Sequence, residues 1–305
     1  MNNFLKRVLQ GVVLGVALIT TIGGGTMAVL LGVYDDVINS IADFRKKPRE
    51  SLQLIIPMAL GGIVGILIFL IPIRYLLRNF RFITLAAFVG LTIGGLRVFH
   101  DSVQGNFKIS NILYSVAGFI FVFSIGAITW FAGFSVDLVS FNALQLFLLF
   151  AVAFISMGGH VSPGISGTLL LLAFGYFEEV IKLFERFLLF QSINFWNDFL
   201  AVVVFAIGSL LGLLAIAKLY KVSFEKSRTK TNFTILGFII GSLAIVFFNG
   251  DIKPEYALDI YKTFNTLHFV LAIAFVIIGA VASYFLFGLV QNKEHKKLDV
   301  TEVEE

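Results

Sequence analysis

Residues 158–181, GGHVSPGISGTLLLLAFGYFEEVI, interrupt a chain that is otherwise apolar over most of its length. Gly158, Gly159, Pro163, Gly164 and Gly167 break or bend the backbone, and Ser162, Ser166 and Thr168 bring hydroxyls to the same place. An apolar run follows, as far as Gly175-Tyr176-Phe177-Glu178-Glu179. Proline lacks an N–H and crowds the preceding turn, while glycine releases the backbone at little steric expense. The spacing therefore predicts a turn over 162–167 that opens a new helix near Thr168. The start of a helix presents unpaired N–H groups and the positive end of a dipole, which together with hydroxyl donors suit a phosphate or carboxylate. Ser and Thr are also the preferred N-caps of any helix, so a purely structural turn explains the same residues.

The rest of the chain reads as a container for that turn. Hydrophobic residues make up 58% of the 305, and charged residues only 14%, against roughly 25% charged in soluble domains. This is the composition of a polytopic, all-α integral membrane protein. The absence of cysteine excludes a disulfide framework, a thiolate nucleophile and a cysteine metal site. No metal cluster, cofactor-binding loop or nucleic-acid patch is legible. The basic run Lys218 to Lys230 has the spacing of a cytoplasmic loop. Lys6 and Arg7 ahead of Val8 to Ile22 resemble a signal peptide, but no A-x-A-like site follows, so the segment is expected to be retained.

The apolar stretches fall into two sets. The first comprises Val8 to Ile22, Thr26 to Ile41, Leu52 to Leu76, Phe82 to Phe99 and Ile112 to Ala132. The second comprises Ala143 to Met157, Thr168 to Leu183, Phe199 to Leu219, Phe233 to Phe248 and Leu267 to Val290. Gly32-Val33-Tyr34-Asp35-Asp36-Val37-Ile38 matches Gly175-Tyr176-Phe177-Glu178-Glu179-Val180-Ile181 at a shift of 143. Ala59 to Gly65 matches Ala206 to Gly212, and Gly90 to Leu96 matches Gly237 to Leu243, both at a shift of 147. Three blocks in one order at nearly one spacing indicate two homologous halves, 1–142 and 143–290, followed by a polar, disordered cytoplasmic tail over 291–305.

The first two stretches of each half are shorter than the roughly 20 apolar residues that cross a bilayer. Each pair reads as two half-helices, forming either a re-entrant hairpin or one broken crossing. With hairpins, 16 of the 23 Lys and Arg residues collect on one side, against 7 on the other; with broken crossings the split is 13 against 10. The positive-inside bias favours hairpins with both termini cytoplasmic, although two full crossings per pair give the same loop assignment. A hairpin plus three spans crosses the bilayer an odd number of times, which turns the second half upside down. In inverted-repeat transporters two broken elements meet near the midplane and line the substrate site. Gly23-Gly24-Gly25 is thus expected to face the 162–167 turn across a cavity.

These residues resemble the polyprenyl-phosphate transporter family, whose members carry two copies of P-G-[VI]-S-G followed by an apolar run and G-[IL]-Y-E. The second copy is intact as Pro163-Gly164-Ile165-Ser166-Gly167 with Gly175-Tyr176-Phe177-Glu178. In the first, Thr20-Thr21-Ile22-Gly23-Gly24-Gly25-Thr26 keeps glycines and a threonine but has neither the proline nor the serine. Gly11 and Gly15, ahead of that turn, also fit, and the similarity covers nearly the whole chain. The resemblance implies a flippase that returns undecaprenyl phosphate from the outer to the inner leaflet of the bacterial cytoplasmic membrane. A lipid phosphate needs a donor-rich path for its head group and leaves its tail in hydrocarbon, which two glycine-rich turns can serve.

The expected phosphate-binding residues are Ser162, Pro163, Gly164, Ser166, Gly167 and Thr168, with Gly24, Gly25 and Thr26 as their counterparts; close helix packing through small residues explains the latter three equally well. His160 is a candidate phosphate donor or proton relay, against a buried structural histidine. Arg97, after Gly94-Gly95, offers a bidentate guanidinium or a positive-inside anchor. Asp35, Asp36, Glu178 and Glu179, placed at the C-terminal end of the second half-helix of each hairpin, are candidates for H+ or Na+ coupling, against simple interfacial exposure. Phe and Trp are expected to face lipid or its interface. Two rival functions share these features. An undecaprenyl-pyrophosphate phosphatase needs an arginine after the serine and glutamates beside it, where this chain has Gly167 and no adjacent acid, so no enzyme is expected. A secondary transporter of a small soluble anion suits the same turns.

Overall fold

Glycines, prolines and hydroxyl caps decide where the apolar sequence is cut into helices. The computed structural model describes residues 3–42, 46–99, 103–132, 136–160, 166–248 and 266–303. Among these every regular element is helical, with no strand. The first set of helices is α1 (Asn3–Ile19), α2 (Gly24–Leu30), α3 (Tyr34–Ala42), α4 (Pro48–Asn79), α5 (Arg81–Gly95) and α6 (Ile109–Ala132), with a single 3₁₀ turn at Leu96–Phe99 extending α5. The second is α7 (Ala143–Gly159), α8 (Gly167–Ala173), α9 (Phe177–Leu188), α10 (Phe195–Ile245) and α11 (Thr266–Val303). Among the described residues, four stretches are long and apolar enough to cross a membrane: Pro48–Asn79, Ile109–Ile128, Phe195–Ile245 and Leu267–Leu289.

α10 consists of two helices joined at Ser227, whose backbone is extended. Counted as 195–226 and 228–245, its parts bring the second set into the same order as the first. α1 and α7 each have 17 residues, and α2 and α8 each have seven. The joints correspond as well. Thr84 Oγ1 donates to the Phe80 carbonyl at the α4–α5 corner, and Thr231 Oγ1 donates to the Ser227 carbonyl at the α10 joint, both at 2.9 Å.

The two sets are interlocked. α1 packs on α4 and α7 on the first part of α10, whereas α6 packs on the second part of α10 and α11 packs on α5. Lipid gives helices no hydrophobic reason to associate, so close packing through small residues carries these contacts. A methyl group added to Gly90 in α5 would lie 2.2 Å from the Val276 carbonyl oxygen of α11, and one added to Gly237 in α10 would lie 1.9 Å from that of Ser115 in α6. The central apolar core combines Leu70, Ile73 and Phe88 of the first set with Leu149, Leu169, Phe174 and Leu183 of the second.

Three sequence expectations change. The runs Thr26 to Ile41 and Thr168 to Leu183 are not single half-helices, because each is broken by a glycine in the left-handed region, Gly32 at φ 68° and Gly175 at φ 74°. The same pair of bonds closes both breaks: Val33 N–H donates to the Ala28 carbonyl and Gly32 N–H to that of Val29, while Tyr176 N–H donates to Leu171 and Gly175 N–H to Leu172. This is a Schellman-type cap, which glycine adopts without a Cβ penalty. Consequently Glu178 and Glu179 lie in the first turn of α9 and Asp35 and Asp36 in that of α3, where negative charge is favoured by the helix dipole rather than opposed by it. Second, the phenylalanines divide between two environments. Phe174, Phe177 and Phe233 are buried, whereas Phe131, Phe190 and Trp196 are largely exposed. Third, α11 continues through Val303, into residues 291–303 expected as a disordered tail.

Candidate functional site

The two interrupted helices meet. α1 ends at Ile19, and the last carbonyls of any helix lack partners within it. One of these, on Leu18, accepts a 2.7 Å hydrogen bond from the Thr168 hydroxyl on α8. In the opposite direction, the Gly24 N–H that opens α2 donates to His160 Nδ1 at 3.4 Å. His160 is the C-cap of α7, just ahead of the second turn, and is 6% exposed. Accepting at Nδ1 leaves the ring proton on Nε2. The Cδ2–Nε2 edge of the ring lies against Gly167, where an added methyl would sit 2.5 Å from Cδ2, 2.7 Å from Nε2 and 2.0 Å from the Ser156 carbonyl oxygen. His160 is therefore wedged between the first residue of α2 and the first residue of α8.

Each end of this join has local support. The Ser166 hydroxyl accepts from Leu169 N–H at 3.3 Å as the N-cap of α8, the structural role open to a serine there. Gly23 occupies the matching position ahead of α2 at φ 86°, with no side-chain cap. Thr21 Oγ1 donates to the Phe88 carbonyl of α5 at 3.2 Å, and Thr20 Oγ1 to that of Ala17 at 3.1 Å. Thr26 and Thr168 are fully buried, Gly25 is buried, and Ser166 is 4% exposed. Where they are described, the turns touch directly instead of facing one another across a gap. Ser162, Pro163 and Gly164 lie outside the described residues.

Arg97 stands apart from this join. Its guanidinium donates to the Tyr284 carbonyl at 3.3 Å and lies 4.2 Å from the centre of the Tyr284 ring, so α11 engages it. The acids are also engaged. Asp36 pairs with Arg7 of α1 at 3.0 Å. Glu178 pairs with Arg81 and with Lys182 (2.7 Å), and Glu179 pairs with Lys182 at 2.9 Å. The Asp35 side chain is outside the described residues.

Sequence reasoning missed Leu18, whose contribution is a backbone carbonyl. It also missed a set of ion pairs at the other end of α9: Arg74 of α4 with Glu185, and Arg186 with Asp198 of α10 at 3.1 Å. Arg74, Arg81, Lys182 and Arg186 all belong to the minority of cations on the poorer side of the charge count, and that is the one signal from which they were legible.

A family model described as undecaprenyl phosphate translocase-like matches residues 2–106 and 99–255. A curated relative, the polyprenyl-phosphate transporter of Vibrio cholerae serotype O1, is 26% identical over 257 residues, covering 79% of this chain and 77% of its own. Both descriptions are of transport and neither is of hydrolysis. No solved structure matches.

Proposed function

The chain belongs to the undecaprenyl phosphate translocase-like family, and from that premise we propose that it carries undecaprenyl phosphate from the outer to the inner leaflet of the bacterial cytoplasmic membrane. The lipid is thereby returned to cell-wall polymer synthesis. The observation that carries this reading is the join at His160, where two broken helices from opposite halves of the sequence exchange hydrogen bonds at a buried, glycine-lined place. Interrupted backbone inside a membrane is tolerated where it serves a substrate path.

On this reading residues 1–142 and 143–290 are inverted repeats, each made of a re-entrant hairpin and three spans. Two contacts support re-entry. Arg7 near the start of α1 meets Asp36 at the start of α3. Arg186 at the end of α9 reaches the Leu138 carbonyl, just ahead of α7. In both cases the chain comes back to the end it left. The cation-rich end, which holds the N-terminus, faces the cytoplasm by the positive-inside bias.

The head group travels between the turns. Seven-residue helices have little macrodipole to offer, so the donors are individual groups: the Ser166 hydroxyl, the Thr168 hydroxyl, His160 and the backbone N–H groups of Gly24, Gly25 and Gly167. His160 holds the join as a neutral ring, with Nδ1 accepting from the Gly24 N–H, and its Nε2–H is the donor it keeps for the phosphate. The prenyl tail remains in lipid throughout.

The test is a leaflet-resolved measurement of undecaprenyl phosphate in cells that lack the protein and any redundant carrier. Outer-leaflet accumulation is expected, and it should be reversed by the wild-type chain. An unchanged distribution would end this reading, and competition for binding by soluble phosphate but not by the lipid would favour the soluble-anion alternative.

A further inference from the structure

A further polar contact between residues 1–142 and 143–290 lies at the corner where α4 gives way to α5. Arg74, in the last two turns of α4, pairs with Glu185, and Arg81, the first residue of α5, pairs with Glu178; both acids lie on α9. Lys182, one turn on from Glu178, pairs with Glu178 and Glu179. Three cations face three carboxylates, and the cluster is neutral. Its carboxylates and Arg81 are partly withdrawn from water, with side-chain exposures of 14% for Arg81 and 13% for Glu185, while Arg74 and Lys182 stay more open at 39% and 38%.

Stability is a weak reason to keep such a cluster. Ions lose hydration when buried, and apolar replacements of a buried pair are often neutral or stabilising. In membrane proteins, ionisable groups set among the helices commonly mark the route of a charged substrate.

The repeat provides a second, independent observation. A shift of 147 carries Arg74 and Arg81 to Lys221 and Arg228, and a shift of 143 carries Glu179 to Asp36. Lys221 and Arg228 are exposed at the α10 joint, and among the described residues neither makes an ion pair. Asp36 pairs instead with Arg7, inside its own half. Two equivalent places in one molecule thus differ: α9 is fastened to the opposite half by ion pairs, while the matching cations at the other end stand in solvent. Fastening is therefore a state this architecture can enter or leave.

We propose that Arg74 and Arg81 receive the phosphomonoester head group at the end of the molecule away from the N-terminus, the phosphate displacing the Glu185 and Glu178 carboxylates, and that this exchange releases α9 from the α4–α5 corner. The proposal rests on reading the chain as a carrier of a lipid phosphate. The charges match, since a phosphomonoester has about −1.5 to −2 at neutral pH, close to that of the two carboxylates it replaces. The geometry suits the exchange too, because a guanidinium fork binds phosphate and carboxylate oxygens in the same bidentate way. The head group that is to be carried is then also what unfastens the closed end.

The experiment uses the full chain in nanodiscs, with undecaprenyl phosphate and undecaprenol as probes. Arg81→Gln and Glu178→Gln break the same pair. If the pair only holds α9 in place, the two variants shift binding in the same direction. If Arg81 receives the phosphate, Arg81→Gln should weaken undecaprenyl phosphate binding about tenfold and Glu178→Gln, which frees the arginine, should tighten it several-fold. Undecaprenol binding should move in neither. Arg74→Gln and Glu185→Gln form a second, more exposed pair that should repeat the pattern, and it decides the matter should the first variants misfold. Shifts of the same sign, or no shift, overturn the inference while leaving the carrier reading intact. Failure of the wild-type chain to bind undecaprenyl phosphate at all would overturn the carrier reading itself.

Discussion

The turn at 20–26 and the turn at 160–168 lead into the two seven-residue helices, α2 and α8, and contribute opposite kinds of group. The second turn works through side chains: His160 accepts, Thr168 donates and Ser166 caps its own helix. The first offers backbone to the join, through the Gly24 N–H and the Leu18 carbonyl at the end of α1. Proline and serine are thus absent from the turn that is met through its main chain and present in the turn that does the meeting. Two turns that meet need not carry identical chemistry, because one can supply donors and acceptors that the other satisfies. The second turn should accordingly be intolerant of substitution where the first is permissive.

The sharpest way to break this contrast is the matched pair Gly167→Ala and Gly24→Ala. At Gly167 the new methyl meets the Ser156 carbonyl at 2.0 Å as well as the His160 ring, and neither can give way without moving α7. We expect a loss of about 3 kcal/mol or more, with transport abolished. At Gly24 the nearest atom is the end of the Leu18 side chain at 2.9 Å, which can rotate, so the loss should stay below about 1 kcal/mol. Unfolding in mixed micelles alongside a proteoliposome transport assay would measure both. Equal sensitivity at the two glycines would remove the asymmetry.

His160→Phe tests the join itself. A somewhat larger apolar ring takes the place of the imidazole and the Nδ1 acceptor is lost, leaving the Gly24 N–H unpaired, a defect worth about 1–3 kcal/mol. Transport should fall at least tenfold with the protein still folded. Unimpaired transport would take the histidine out of the mechanism.

The contrast was only partly legible in the sequence. Pro163, the paired glycines and the repeated spacing announce broken helices in two sets, because these residues act on the backbone at the position where they stand. The seven-residue length of α2 and α8 was hidden, since Val33-Tyr34 and Tyr176-Phe177 continue the apolar pattern straight through the break and only one glycine stops each helix. That concealment put the four acids at the wrong end of a helix. Arg97 looked like a site for its glycine neighbours, yet its partner Tyr284 lies 187 residues further on. Partnerships at that separation, like those of Thr168 with Leu18 or Arg74 with Glu185, follow from how the halves interlock and leave no local spacing to read.

A smaller effect separates the two caps. Ser166→Ala removes the bond to Leu169 N–H and should cost about 1 kcal/mol. Gly23→Ser rewrites the first turn toward the second, but it should destabilise by about 1–2 kcal/mol instead of restoring a cap, because φ is 86° there. A stabilised Gly23→Ser variant would show that the first turn can adopt the geometry of the second, and the division of roles would then be one of sequence alone.

The smallest difference is expected where the two caps are built alike. Gly32 and Gly175 end α2 and α8 at φ values of 68° and 74°, each closed by the same two backbone bonds. Alanine at either carries the left-handed penalty of about 1–2 kcal/mol. Around Gly32 a methyl meets no atom within 4 Å, so strain is the whole of its effect. The two variants should therefore cost about the same, each carrying that one penalty of about 1–2 kcal/mol. A much larger loss at Gly175 would mean that the region after α8, where α9 leads on to the ion pairs with Arg74 and Arg81, is also specialised. The asymmetry would then run along α8 and α9 and not only the turn ahead of them.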